Sequence, residues 1–73
     1  MNKYITVDGA RINLEHVHRL RIEVTWSGYV LWINNHRRLM YNSLPDAQDA
    51  HSKIAEALKE YKTQKEKNNG TNN

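Results

Sequence analysis

Hydrophobic and polar positions follow two rhythms along this chain, a period of two up to about residue 42 and a period near 3.6 beyond it. Lys3-Tyr4-Ile5-Thr6-Val7 alternates and is β-branched, which predicts a strand. Asp8-Gly9 is a two-residue hairpin signal, because both residues tolerate the positive φ of a type I′ turn. Arg11-Ile12-Asn13-Leu14 then returns as a second strand. Alternation is cleanest from Val17 to Trp26, where Leu20, Ile22, Val24 and Trp26 interleave with Arg19, Arg21, Glu23 and Thr25. That pattern predicts a strand with one buried face. Ser27-Gly28 marks a turn, and the apolar run Tyr29 to Ile33 reads as a central strand. Asn34-Asn35 marks another turn. Arg38 to Asn42 is the last strand, with Leu39 and Tyr41 on one side and Arg38, Met40 and Asn42 on the other.

The helical rhythm starts at Ser43-Leu44-Pro45-Asp46. Ser43 is a cap, Pro45 sits in the first turn where its missing N–H costs nothing, and Asp46 stands three residues after the cap. Ala47, Ala50, Ile54, Ala57, Leu58 and Tyr61 form one apolar stripe. Asp46 and Asp49 early and Lys53 and Lys59 late agree with the helix dipole. The pattern stops at Lys62, so residues 62–73, polar and Lys-containing, are expected to be disordered. The fold class is therefore α+β: an antiparallel β-meander, made of an N-terminal hairpin plus three strands, with one C-terminal helix packed on one face. Residues 1–61 form the single domain.

One helix covers one face of a sheet, so the other face is left for solvent or for contact. With Leu20, Ile22, Val24, Leu31, Ile33, Leu39 and Tyr41 toward the helix, the open face carries Arg19, Arg21, Glu23, Thr25, Trp32, Asn34, Arg38, Met40 and Asn42. The run Tyr29 to Ile33 is apolar on both sides, so its phase is open.

Composition narrows the function. At 73 residues with 38% hydrophobic side chains, the chain has room for one small domain with a thin core. With no Cys it has no disulfides, no thiolate zinc site and no cysteine nucleophile. No apolar run reaches the length of a membrane span, and MNKYITVDGA lacks the apolar stretch of a leader. The expectation is a cytoplasmic protein with no membrane partner.

Net charge is +3 and unevenly placed. Residues 1–44 hold six Lys and Arg against three Asp and Glu, and five of the six are Arg. Residues 45–61 are acidic, and residues 62–73 are Lys-rich. Arginine presents a planar fork suited to phosphate and to guanine edges. The candidate contact residues are Arg19, Arg21, Trp32, Arg37, Arg38 and Met40. An ordinary solvated surface accounts for the same arginines, and a protein interface centred on Trp32 and Met40 accounts for the same face.

Catalytic signals are missing. There is no GxSxG, HExxH or glycine-rich phosphate loop, and the carboxylates of the helix read as a solvated face. His16 and His18 lie two apart and would share a strand face, but a metal site needs three or four ligands. The expectation is no enzyme activity, no catalytic or metal-binding residues, no cofactor and no small-molecule substrate.

Three stretches carry a resemblance: Gly28-Tyr29-Val30-Leu31-Trp32-Ile33, Arg37-Arg38-Leu39-Met40-Tyr41 and Ser43-Leu44-Pro45-Asp46-Ala47-Gln48-Asp49-Ala50. With them, Arg19 to Leu58 resembles the three-stranded-sheet-plus-helix DNA-binding modules. These include the arm-binding domains of integrases, the plant ethylene-response-factor domain and the bacterial cell-division activator of that layout. The resemblance implies an aromatic second strand, a basic third strand and a bracing helix. This chain departs from it in the extra hairpin and in a less basic sheet. Ile12 to Val17 also looks like the openings of small uncharacterised phage and mobile-element proteins. The sequence thus points to a non-enzymatic binding module that contacts double-stranded nucleic acid through the open sheet face. The alternative is a protein-interaction or phage-type accessory or inhibitor module, including a homodimer built on that face or on a sheet edge.

Overall fold

The computed structural model describes residues 3–71, with side chains described as far as Lys65. In chain order it contains β1 (Tyr4–Val7), β2 (Ala10–Asn13), a 3₁₀ turn (Leu14–His16), β3 (Leu20–Thr25), β4 (Gly28–Ile33), β5 (Arg37–Tyr41) and α1 (Leu44–Thr71). The architecture is α+β: a two-stranded and a three-stranded antiparallel sheet with one C-terminal helix.

Asp8 and Gly9 take φ of 50° and 82°, as a type I′ hairpin requires. Ile5 pairs with Ile12 and Val7 with Ala10, so one side of the hairpin is apolar. In the larger sheet β4 is central. Ile22, Leu31 and Leu39 lie in one cross-strand row, flanked by Leu20 opposite Ile33 and Tyr29 opposite Tyr41. This face, the apolar side of the hairpin and the helix stripe close on one core of Val7, Ile12, Val17, Leu31, Ile33, Ala50 and Ile54. Hairpin and helix therefore share the same face of the larger sheet. Two side-chain bonds tie the hairpin down: Tyr41 donates to Asp8 Oδ2 at 2.6 Å, and Arg37 donates to the carbonyl of Arg11.

The helix begins as expected. Ser43 Oγ accepts from the Asp46 N–H at 3.3 Å, and the Ser43 carbonyl accepts from the Ala47 N–H. Ala47, Ala50 and Ile54 are fully buried, and the small alanines let the helix lie close to the sheet. Leu58 packs at the core margin, and Tyr61 donates to Glu15 Oε2.

Several boundaries differ from the sequence reading. The helix continues through residues 62–71, where the sequence predicts disorder; residues 72 and 73 lie outside the described part. Lys62, Gln64, Lys65, Glu66 and Lys67 are good helix formers, and extending an existing helix is far easier than nucleating one. Strand β2 ends at Asn13, whose side chain accepts from the Glu15 N–H and starts the 3₁₀ turn. His16 therefore ends that turn and His18 precedes β3, so the two do not share a strand face. Trp26, expected on the buried face, lies with Ser27 in the β3–β4 turn and is 99% exposed. Val24 keeps the inward phase but is 72% exposed. Gly28 opens β4 at φ +148°, and a Cβ there would stand 2.6 Å from the Tyr41 carbonyl oxygen.

Candidate functional site

The face of the larger sheet away from helix and hairpin is organised by register. Arg21 pairs with Trp32 and Trp32 with Arg38, so one row reads Arg–Trp–Arg across three strands. The next row reads Glu23–Val30–Met40. Arg19, one residue before β3, keeps the phase of Arg21 because its carbonyl accepts from the Asn34 N–H at 2.9 Å.

Trp32 is held on three sides. Its Nε1 donates to Glu23 Oε1 at 2.8 Å. The guanidinium carbons of Arg21 and Arg38 stand 5.6 and 6.0 Å from its ring. Contacts of this kind contribute on the order of 0.5–1 kcal/mol each at exposed sites. Their larger effect is to order two long side chains beside one aromatic plane. Trp32 is half-buried, whereas Arg21 and Arg38 are exposed. Val30 is covered although it faces outward, and Met40 is 68% exposed at the edge of the patch.

The patch is cationic on balance, with Arg19, Arg21 and Arg38 against Glu23. One carboxylate oxygen of Glu23 accepts from the indole N–H. Among the described residues the ion pairs are Lys3–Glu15 at 3.7 Å and Lys53–Asp49 at 3.1 Å, both away from this face. Adjacent strands lie about 4.8 Å apart, so the backbones of Arg21 and Arg38 span about 10 Å, near the ~12 Å width of a DNA major groove.

Arg37 belongs elsewhere. Its phase is that of Ile33 and Leu39, and its guanidinium is used on the Arg11 carbonyl, so it clips hairpin to sheet. Asn34 also has a structural role that its turn position does not reveal. Its Oδ1 accepts from the N–H groups of His18 and Arg19 at 2.7 and 3.0 Å, and its Nδ2 donates to the His16 carbonyl. The backbone that carries Arg19 is thereby fixed to the β4–β5 turn.

His16 and His36 line one small cleft with Asn34 and Arg37. Among the described residues no three His, Cys, Asp or Glu side chains converge as a metal site would need, and no helix is long and apolar enough to cross a membrane. Tyr41 lies on the inward side of the sheet, where its hydroxyl meets Asp8. Burial pushes its hydroxyl well above the usual tyrosine range, and the bond to Asp8 and the charges of Asp8, Asp46 and Asp49 push the same way. That shift belongs to the hairpin contact and not to the open face.

Comparison with known proteins gives no match among family models, curated proteins or solved structures.

Proposed function

We propose that this chain is a non-enzymatic binding module whose open sheet face contacts double-stranded nucleic acid. The observation that carries this reading is the Arg21–Trp32–Arg38 row: two guanidiniums without a carboxylate partner among the described residues, ordered around one indole, on a face that helix and hairpin leave uncovered. Arg19, Arg21 and Arg38 supply phosphate or guanine-edge contacts, Trp32 packs on sugar or base, and Met40 closes the apolar rim. The helix acts as a brace. The resemblance of layout to sheet-plus-helix DNA-binding modules supports the same assignment.

The test is fluorescence anisotropy of a labelled random duplex titrated with the protein. Binding that weakens several-fold when Arg38 or Trp32 is replaced by Ala, with helix content unchanged, supports the reading. No binding at low salt removes it.

Trp26 favours a second reading, contact with another protein. A fully exposed indole at a hairpin tip, next to a largely exposed Val24, suits an apolar anchor. Such binding would persist at high salt and fail on Trp26→Ala.

A further inference from the structure

Strand β3 is a terminal strand of its sheet, and it is complementary to itself. The sheet order is β3-β4-β5, so β3 has a neighbour on one side only. Backbone groups along an antiparallel strand point alternately to the two sides. The Arg19 carbonyl bonds the Asn34 N–H toward β4. In the β3–β4 register, Arg21, Glu23 and Thr25 therefore also face β4, and the N–H and C=O groups of Leu20, Ile22 and Val24 point outward. This edge carries no Pro, no Lys and no bulge, the usual means of keeping an edge from pairing.

We propose that the partner of this edge is β3 of a second copy of the chain, paired antiparallel about a two-fold axis at Ile22. Backbone parity allows only pairings in which outward residues meet outward residues, so the axis passes through a residue position and not between two. An axis at Arg21 sets Arg21 against its own copy. An axis at Glu23 sets Glu23 against its own copy. Like charges directly opposite destabilise a sheet. An axis at Ile22 sets Arg21 opposite the second copy's Glu23 and Glu23 opposite its Arg21. Both are non-hydrogen-bonded pairs, where side chains approach most closely. The same axis sets Leu20 opposite the second copy's Val24, twice, and Ile22 opposite itself. Charge and apolar matching thus favour the axis at Ile22 over those at Arg21 and Glu23.

Two further features agree with this pairing. Val24 is 72% exposed although its phase is inward, and in the pair it lies beside Leu20 of the second copy. A shallow groove runs along this edge between Leu20 and Ile22 on the strand and Gln48, His51 and Ser52 on the helix. That is the space the second copy's inward side chains would enter. The product is one six-stranded sheet with two Arg–Trp–Arg rows on its open face.

Sedimentation of the full chain without nucleic acid, from low to high micromolar concentration, tests the proposal independently of the duplex-binding reading. The parent is expected to reach twice the chain mass. Arg21→Glu and Glu23→Arg each replace two attractive pairs by two repulsive ones and are expected to weaken association about tenfold or more. The double variant R21E/E23R restores opposite charges across the axis and is expected to recover the parent's association. Arg21 and Glu23 are both exposed, and circular dichroism checks that each variant stays folded. A parent that keeps the mass of one chain throughout overturns the proposal. So do single variants that associate like the parent, and so does a double variant no better than the weaker single.

Discussion

Asn34 joins a backbone demand to a side-chain demand at one position. Its φ of 60° is uncommon for any residue but Gly, Asn and Asp, and its amide meets three backbone groups of the segment before β3. Replacing it separates the two. Asn34→Gly keeps the turn and loses the three bonds, whereas Asn34→Ala loses both. Chemical denaturation should rank parent above Gly above Ala, with the Ala variant lower than the parent by about 2–3 kcal/mol. An Ala variant as stable as the Gly variant would mean that the positive φ costs nothing here. Tyr41 makes a prediction about pH. Its hydroxyl holds its proton more tightly in the folded chain than in the unfolded one. The linked stability is therefore fully present below the unfolded tyrosine pKa of about 10 and is lost as pH rises above it. Urea midpoints should fall as pH rises above about 10, and Tyr41→Phe should flatten that fall while lowering stability at neutral pH through loss of the Asp8 bond. A fall of the same steepness in the Phe variant would assign it to other groups.

At the scale of elements, the order of strands and helix was legible because each period persisted over several residues, and the edges were not. In β3 the alternation of Leu20 to Thr25 reads correctly, yet the rule extends it to Trp26, where the chain has already turned. Alternation is blind to where the partner strand ends. The 3₁₀ turn after β2 follows from the Asn13 side chain, a two-residue contact that no periodicity signals. The open face was largely legible. Arg19, Arg21, Trp32, Arg38 and Met40 share it, and only Arg37 falls on the other side, because β5 begins one residue earlier than the pattern suggests. The edge pairing was legible only after the register placed Arg21 and Glu23 on a terminal strand. For the helix, burial is concentrated at its front. Ile54 is fully buried at the centre of the stripe, so Ile54→Ala should cost about 2–5 kcal/mol and leave much of a domain this small unfolded near room temperature. Removing residues 66–73, which follow the last core contact among the described residues, should shift the thermal midpoint by no more than about 2 °C, well below the ~4–8 °C expected per kcal/mol in a domain of this size. A larger drop would mean that the helix end contributes packing.

At the scale of the whole molecule, the charge layout sets how binding should respond to salt. An unpaired chain offers three guanidiniums on its open face, from Arg19, Arg21 and Arg38, while the acidic front half of the helix lies behind the sheet. If each neutralises one phosphate, the slope of log affinity against log salt is about −2.7 per chain, so a fourfold rise in salt weakens binding about 40-fold. Arg38→Ala should lower that slope by about 0.9, leaving a loss of about 12-fold over the same range. Trp32→Ala should weaken binding at every salt concentration and leave the slope unchanged, because an indole displaces no counterion. The two variants thus separate the electrostatic part of the face from its packing part. Titration of a labelled duplex at several salt concentrations reads both quantities from one data set. A slope near zero in the parent would mean that these guanidiniums displace no counterion, and it would take the phosphate contacts out of the reading.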